Sequence, residues 1–161
     1  MRGKIPGWET AMRVRSQRED VGQCECGPWR WKVARASRPG ARQRLEFRYY
    51  TQGQRLEKLM YAWDPQQGTY VPQATNRFVY DGWNLAVTLA SDLGPLASFT
   101  WGTDLSGSLH GAGGVGGLLS VTVPTGPNPG AYFCCYDGNG NVMGLINAAD
   151  GSLAARYEYG P

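Results

Sequence analysis

The chain has few of the side chains on which most enzyme and metal chemistry depends. It contains one histidine, His110, among 161 residues, so an imidazole base is available at a single position. Its four cysteines occur as Cys24 with Cys26 and as the neighbours Cys134 and Cys135, not as the C-x-x-C pairs typical of zinc sites. Neighbouring residues of a strand face opposite sides, which keeps Cys134 and Cys135 from reaching one ion without a bend. These spacings disfavour a zinc site.

Long apolar segments are also missing. Residues 105–136 hold no charged side chain over 32 positions, but Gly and Pro interrupt them, and the densest run, LLSVTV, is too short to span a bilayer. The first twenty residues carry early positive charge without the apolar run of a secretory signal. We expect no membrane helix and no signal peptide in this chain.

Turn-forming residues, in contrast, are plentiful. The 23 glycines and 10 prolines favour many turns and short strands over long helices. Apolar and polar residues alternate with the period of a half-buried strand from Leu45 onward, and the alternation returns three times. The apolar sides of these three runs are Leu85, Val87 and Leu89; Ala97, Phe99 and Trp101; and Leu153, Ala155, Tyr157 and Tyr159.

Three dipeptides between these runs favour tight hairpins: Asp81-Gly82, Asn139-Gly140 and Asp150-Gly151. Hairpin turns join antiparallel neighbours. The sequence therefore predicts an all-β fold, an antiparallel meander in an open, curled sheet.

Charge divides the chain into two segments. Residues 1–44 hold 11 Lys and Arg against 4 acidic residues, a balance of +7, and residues 45–161 hold 5 against 9, a balance of −4. The first segment lacks sustained periodicity, and RASRPGARQR is typical of a linker. We expect a poorly structured basic arm over 1–44, outside the repeat fold, and a β-sheet domain over 45–161.

The basic arm also offers an alternative function. Its tryptophans and cations suit weak nucleic-acid association, although no binding fold is recognisable there. The residues concerned are Trp29, Arg30, Trp31, Lys32 and Arg35.

Two stretches of the second segment repeat one order of residues. Each begins Tyr-Asp-Gly, continues with Asn before an apolar strand and an Asp/Gly turn, and ends in an aromatic residue followed by Gly. The first runs from Tyr80 to Trp101 (101 − 80 = 21) and the second from Tyr136 to Tyr159 (159 − 136 = 23). A looser copy spans 50–80. A period in the twenties indicates a stacked array of supersecondary units.

This layout resembles the bacterial Rhs/YD-repeat proteins. The resemblance lies in RLEFRYYTQGQRLEKLMYAWD, RFVYDGWNL, WGTDLSGSLHGAGGVGGLL and YDGNGNVMGLINAADGSLAARYEYGP, and covers nearly all of 44–161. Two departures are the Thr after Tyr50, where the motif has Asp, and YDGWN, which lacks the later Gly.

The resemblance implies a wall of hairpins that encloses a hollow shell around a C-terminal effector, often a toxin, in an exported or surface protein. The chain ends at Pro161, where the family usually enters its autoproteolytic core segment and then the effector. We expect a non-catalytic structural segment whose partners are the rest of a larger repeat chain and an enclosed effector. Open strand edges suggest self-association and marginal stability.

Two loops resemble ligand motifs without their full pattern. GAGGVG satisfies G-x-G-x-x-G through Gly111, Gly113 and Gly116, but a β-type run follows where a dinucleotide site needs a helix. DGNGN has the first ligands of a calcium loop, but Val142 and Ala148 stand where Gly and Glu are required. We predict a turn in both places, with no metal and no cofactor.

Catalysis and glycan binding are the remaining alternatives. His110 lies near Ser106 and Ser108 in a Ser/Gly-rich stretch, and every Asp after residue 45 lies within two positions of Gly or Pro, as turn-capping Asp does. We predict that the chain is not an enzyme. Exposed aromatic residues would suit a surface carbohydrate-binding module, but core packing is the favoured interpretation. They are Tyr80, Trp83, Trp101, Tyr136, Tyr157 and Tyr159.

Overall fold

The structure is a computed structural model. It describes the backbone of residues 22–26, 29–38 and 41–159, and the side chains of 42–159. The described residues form eleven β-strands and no helix, and strands that follow one another in the chain are hydrogen-bonded neighbours. The prediction of an all-β antiparallel meander is confirmed.

The contacts divide the chain into two compact units. The first unit contains the described residues of 22–79 together with 89–94. Its strands pair antiparallel in chain order. They are β1 (Gly22–Cys26), β2 (Trp29–Arg38), β3 (Ala41–Tyr49), β4 (Arg55–Asp64) and β5 (Thr69–Asp81), whose last two residues belong to the second unit.

The second unit contains residues 80–88 and 95–159. Its strands again pair antiparallel with their neighbours in the chain. They are β6 (Asn84–Leu89), whose last residue belongs to the first unit, β7 (Pro95–Trp101), β8 (Leu118–Val123), β9 (Gly130–Tyr136), β10 (Val142–Asn147) and β11 (Leu153–Arg156).

A small apolar core stabilises the second unit. Tyr132, Val142 and Leu145 are buried together, and Leu145 is 2% exposed. Half-buried neighbours complete the cluster: Val123, Cys134, Tyr136, Ala154, Ala155 and Tyr157. The core therefore joins four strands of the meander, β8 to β11. In β9 it uses the side that faces away from Phe133, which is exposed.

A cation takes part in the packing of the first unit. The Arg55 guanidinium lies over the rings of Phe47 (4.7 Å), Phe78 (5.5 Å) and Tyr49 (5.9 Å). Lys58 is buried on this side of the sheet, and burial, followed by the charge of Arg55, lowers the pKa of its ammonium group.

The expected arm differs from the structure where the structure describes it. β2 pairs with β3 from Arg30–Tyr49 to Arg38–Ala41, and β3 runs across the boundary predicted at 44/45. The Pro39-Gly40 pair, interpreted as linker, is equally a turn signal between two strands. Pairing with β3 supplies hydrogen-bond partners to the backbone of β2, whose sequence alternates between apolar and polar residues over only a short length. Residues 1–21, 27–28 and 39–40 lie outside the described residues.

Two predicted strand faces also differ. A register shift between β10 and β11 pairs Ile146 with Leu153 and Leu145 with Ala155, so Leu153 and Ala155 take opposite faces of the sheet. Leu153 is consequently exposed, although the sequence places it with Ala155 on one apolar side. In β6 the buried positions are Asn84 and Thr88 rather than the leucines. Thr88 satisfies its hydroxyl by donating to the carbonyl of Ala97 (3.4 Å).

Candidate functional site

One carboxylate organises the loop between β7 and β8, residues 102–117, which we call the glycine loop. The N–H of Gly102 donates to the carbonyl of Gly117 (2.8 Å) and closes the neck of the loop. Asp104 lies inside and is 5% exposed. Four donors contact its two oxygens: Ser106 N (2.9 Å) and Ser106 Oγ (2.5 Å) at Oδ1, and Ala112 N (2.7 Å) and Gly114 N (3.1 Å) at Oδ2.

These donors favour the ionised form of Asp104. The Ser106 hydroxyl is the largest cause, the backbone N–H groups add to it, and burial opposes it, so that the pKa of Asp104 falls to about 2. Charge-assisted hydrogen bonds to a carboxylate are stronger than neutral ones. Asp104 therefore holds both ends of the glycine loop together.

The Asp104 carboxylate accepts backbone N–H groups of the loop, as a ligand anion does in a glycine-rich phosphate loop. Two other amides of the motif are also engaged, since Gly111 N donates to Ser108 Oγ (2.8 Å) and Gly113 N to the carbonyl of His110 (3.0 Å). The loop leads from one strand to another, whereas a dinucleotide fingerprint leads from a strand to a helix. The glycine-rich turn therefore binds the carboxylate of Asp104, a residue of the same loop. Because Asp104 already accepts these N–H groups, the contacts of the loop do not suit a bound phosphate.

The glycine loop packs against both Tyr-Asp repeats. An added Cβ on Gly82 would lie 3.0 Å from His110 Nε2, so the imidazole rests on the first Tyr-Asp turn. An added Cβ on Gly140 would lie 2.8 Å from Val115 Cγ1, so the other side of the loop rests on the second turn. Asn84 Nδ2 donates to the carbonyl of Leu109 (3.3 Å).

The serines and histidine do not form a nucleophile–base pair. Ser106 Oγ bonds directly to Asp104 and lies 2.9 Å from Ser108 Oγ, while the His110 ring rests on Gly82. A triad instead places the imidazole between the hydroxyl and the carboxylate. The arrangement orders the glycine loop.

Four of the other aspartates form one recurring turn. In each, Oδ1 accepts the backbone N–H two residues later, at 2.8 to 3.0 Å, which is the geometry of an Asx turn. The pairs are Asp64 with Gln66, Asp92 with Gly94, Asp137 with Asn139 and Asp150 with Ser152. Five of the six aspartates after residue 45, Asp104 among them, thus cap turns as the sequence predicts; Asp81 is the sixth.

The turn at Asp137 uses the carboxylate that a calcium loop would need. Its oxygens accept Asn139 N (2.9 Å), Asn141 N (2.9 Å) and Asn141 Nδ2 (2.9 Å). These bonds lower the pKa of Asp137, that from the Asn141 side chain most of all. Val142, at the sixth position of the motif, is buried in the core. Among the residues described, no three His, Cys, Asp or Glu side chains lie together as metal ligands would.

The cysteines are placed as strand geometry requires. Cys134 and Cys135 are free thiols in β9; Cys134 packs against the core and Cys135 is exposed. Burial, with the charge of Cys135 as a smaller cause, raises the pKa of Cys134 to about 11. Cys24 and Cys26 lie in β1, opposite Trp31 and Trp29 in the register.

Aromatic side chains form a contact that the sequence does not reveal. At the end of each hairpin of the second unit, a ring N–H or O–H donates to a backbone carbonyl at the start of that hairpin, a bond we call the aromatic tie. Its three instances span 16, 18 and 17 residues: Trp101 Nε1 to Leu85 O (2.7 Å), Tyr136 Oη to Leu118 O (2.5 Å) and Tyr159 Oη to Val142 O (2.8 Å).

The aromatic ties show three structural repeats in the second unit, where the sequence shows two Tyr-Asp repeats. The hairpin of β8 and β9 carries the same tie as its two neighbours, although it has no Tyr-Asp at its start. Burial is the largest cause of a raised pKa in both tyrosines. It raises the pKa of Tyr136 to about 12, and it also raises the pKa of Tyr159. An aromatic residue followed by Gly or Asp at the end of a hairpin was the signal that could have identified the middle copy.

The aromatic residues that would suit a carbohydrate-binding module differ in exposure. Trp101, Tyr136 and Tyr157 are half-buried, the first two in aromatic ties and Tyr157 against the core. Trp83 is 60% exposed and Tyr159 50% exposed.

A scan against protein-family models and a search of curated proteins each gave no match to this chain. No helix among the described residues is long and apolar enough to cross a membrane.

Proposed function

We propose that the chain is a non-catalytic structural segment of an Rhs/YD-repeat protein, which adds hairpins to a β-sheet wall around a C-terminal effector. The observation that carries the proposal is the aromatic tie, present in three successive hairpins with nearly the same span. A contact repeated at a fixed place in successive hairpins is what a repeat scaffold requires, because every unit must present the same surfaces to its neighbours.

The polar groups that might serve chemistry support the same proposal. The carboxylates of Asp104, Asp137 and Asp150 each accept hydrogen bonds from backbone N–H groups of their own turn. The side chains thus order the connections between strands. A wall needs connections of defined shape more than it needs reactive groups.

The proposed partner is further repeat chain. Phe133, Ile146 and Leu153 lie in one row across β9, β10 and β11, since the register pairs Phe133 with Ile146 and Ile146 with Leu153. Phe133 and Leu153 are more than half exposed. In a complete wall such a row would be covered by neighbouring repeats or by an enclosed effector. Location at the cell surface or outside the cell belongs to this proposal.

The test is to lengthen the array. A chain in which residues 136–159 are duplicated after Tyr159 should melt at a higher temperature, because each added repeat contributes an interface with its neighbour. The control is the same insertion with Tyr→Phe at the duplicated aromatic tie, which should gain less. A duplicated segment that lowers the melting temperature or stays unfolded by circular dichroism would contradict the proposal.

A carbohydrate-binding module is the second candidate, favoured by the exposed indole of Trp83. Glycan-array binding that is lost in Trp83→Ala with the circular dichroism spectrum intact would support it. Trp101→Ala is less informative, because Trp101 also forms an aromatic tie.

A further inference from the structure

The charge of the chain follows the two units of the structure. The described residues of the first unit hold ten Lys and Arg and five acidic residues (10 − 5 = +5). Those of the second unit hold one Arg and five acidic residues (1 − 5 = −4). The whole excess lies in the described residues of 22–44, which hold six Lys and Arg and one acidic residue (6 − 1 = +5). The positive charge predicted for an arm therefore belongs to strands β1 to β3 of this sheet.

Much of this charge lies on one side of β3, β4 and β5, which we call the arginine face. Arg42, Arg44 and Arg48 alternate along β3 with residues of the other side. The register places Glu57 opposite Arg48, and Arg77 opposite Glu57.

Two carboxylates neutralise part of the arginine face. Glu57 accepts hydrogen bonds from Arg48 (2.8 Å) and Arg77 (3.0 Å), and Glu46 pairs with Arg44. Four guanidinium groups against two carboxylates leave +2, and Arg42 is exposed.

Aromatic rings lie between these cations. The Arg42 guanidinium is 5.7 Å from the Trp63 ring, and that of Arg44 is 5.5 Å from the Tyr61 ring. Trp63 also contacts Tyr70 edge to face, with 5.1 Å between ring centroids. All three rings are half-buried, so each keeps part of its surface accessible. A guanidinium that rests on a ring retains N–H groups at its edge for an anion.

We propose that the arginine face binds single-stranded nucleic acid. Phosphates would lie at Arg42 and along the Arg48–Arg77 pair, where positive charge exceeds negative charge. Bases would stack against the accessible parts of Tyr61, Trp63 and Tyr70, since every base has a π face that aromatic rings and guanidinium planes can accept.

An acidic polypeptide would satisfy the charge of the arginine face but not its rings. The acidic second unit of another copy of the chain has exposed rings at Trp83 and Tyr159. Most of its carboxylates, those of Asp104, Asp137 and Asp150, are engaged in their own turns. Nucleic acid alone among these three combines anions at regular spacing with flat apolar surfaces. The inference concerns residues 42–77 and stands apart from the scaffold role.

Binding is measured on the full chain by fluorescence anisotropy of a labelled oligothymidylate of about 20 nucleotides. We expect binding that weakens steeply between about 50 and 200 mM salt, because counterions leave the phosphates. Arg42→Gln should reduce the slope of log K against log salt by about 1. Tyr70→Leu should weaken binding by about tenfold, the effect of losing one stacked base.

Matched controls come from the second unit. Arg156→Gln removes an equal charge from a side chain that is 70% exposed, and Trp83→Leu removes an exposed ring. Circular dichroism and a thermal melt establish that each variant keeps the fold. The proposal is overturned by absence of binding at low salt, or by equal losses in Arg42→Gln and Arg156→Gln. Equal competition by polyglutamate would assign the face to an acidic polypeptide, and saturable self-association that blocks the oligonucleotide would assign it to a second copy.

Discussion

The indole Nε1 of Trp101 donates a hydrogen bond to the backbone carbonyl of Leu85, at 2.7 Å across 16 residues. Leu85 follows the Asn of the first Tyr-Asp repeat. Tyr159 makes the equivalent bond to Val142, which follows the Asn of the second repeat. The two sequence repeats are therefore repeats in structure, and the tie relates the aromatic residue that ends each copy to the first apolar residue of its strand.

Loss of an aromatic tie should destabilise the chain without changing its fold. We expect Tyr136→Phe to lower the free energy of unfolding by about 1 kcal/mol, the net value of a typical hydrogen bond. Tyr159→Phe should cost less, because that ring is half exposed. Urea titration measures both. Tyr70→Phe, which keeps the ring contact with Trp63, is the control and should be nearly neutral; an equal loss there would contradict the role of the tie.

The Asp104 carboxylate should make stability depend on acid pH. Its pKa is about 2 in the folded chain against 3.8 ordinarily, so its contribution is present above pH 4 and is lost as the pH falls through 2. We expect Asp104→Asn to lower the urea midpoint at pH 7 and to flatten its dependence on pH between 4 and 2. Asp81→Asn is the control. Parallel pH profiles for wild type and Asp104→Asn would refute the assignment.

Alanine substitutions at three glycines should distinguish the cost of backbone strain from the cost of steric overlap. Gly140 has φ +77 and an added Cβ would lie 2.8 Å from Val115, whereas Gly151 has φ +71 with open space around it. Gly138 has open space and no positive φ. We expect Gly138→Ala to be nearly neutral, Gly151→Ala to cost about 1–2 kcal/mol through left-handed strain, and Gly140→Ala to cost more. Chemical denaturation ranks the three, and a Gly140→Ala loss no larger than that of Gly151→Ala would show that the overlap relaxes freely.

The register shift of β11 predicts opposite effects for two leucines. Leu145→Ala should cost about 2–5 kcal/mol, because it removes the most buried side chain of the core. Leu153→Ala should change the free energy of unfolding little, since Leu153 lies on the other face and is exposed. Thermal melts of both variants measure the difference. A large loss in Leu153→Ala at low protein concentration would mean that this side chain is buried.

Local patterns predicted the fold class and most turns. Asp137 and Asp150 were recognisable because Asp before Gly caps turns through its own side chain, which requires only neighbouring residues. The face of Leu153 was not recognisable, because a shift in pairing depends on the partner strand and leaves the alternation of β11 unchanged.

The contacts of the glycine loop and of the hairpin of β8 and β9 could not be predicted from the sequence for a similar reason. Asp104 reaches Ala112 and Gly114 across eight and ten residues, and Tyr136 reaches Leu118 across 18. Such contacts exist only after the chain has folded back on itself. The strand β2 depends likewise on β3 for its hydrogen bonds.

Because Asp104 supplies the negative charge around which the glycine loop closes, the connection between β7 and β8 brings its own counterion. We therefore expect the glycine loop to keep its order whether or not phosphate or metal ions are present in solution.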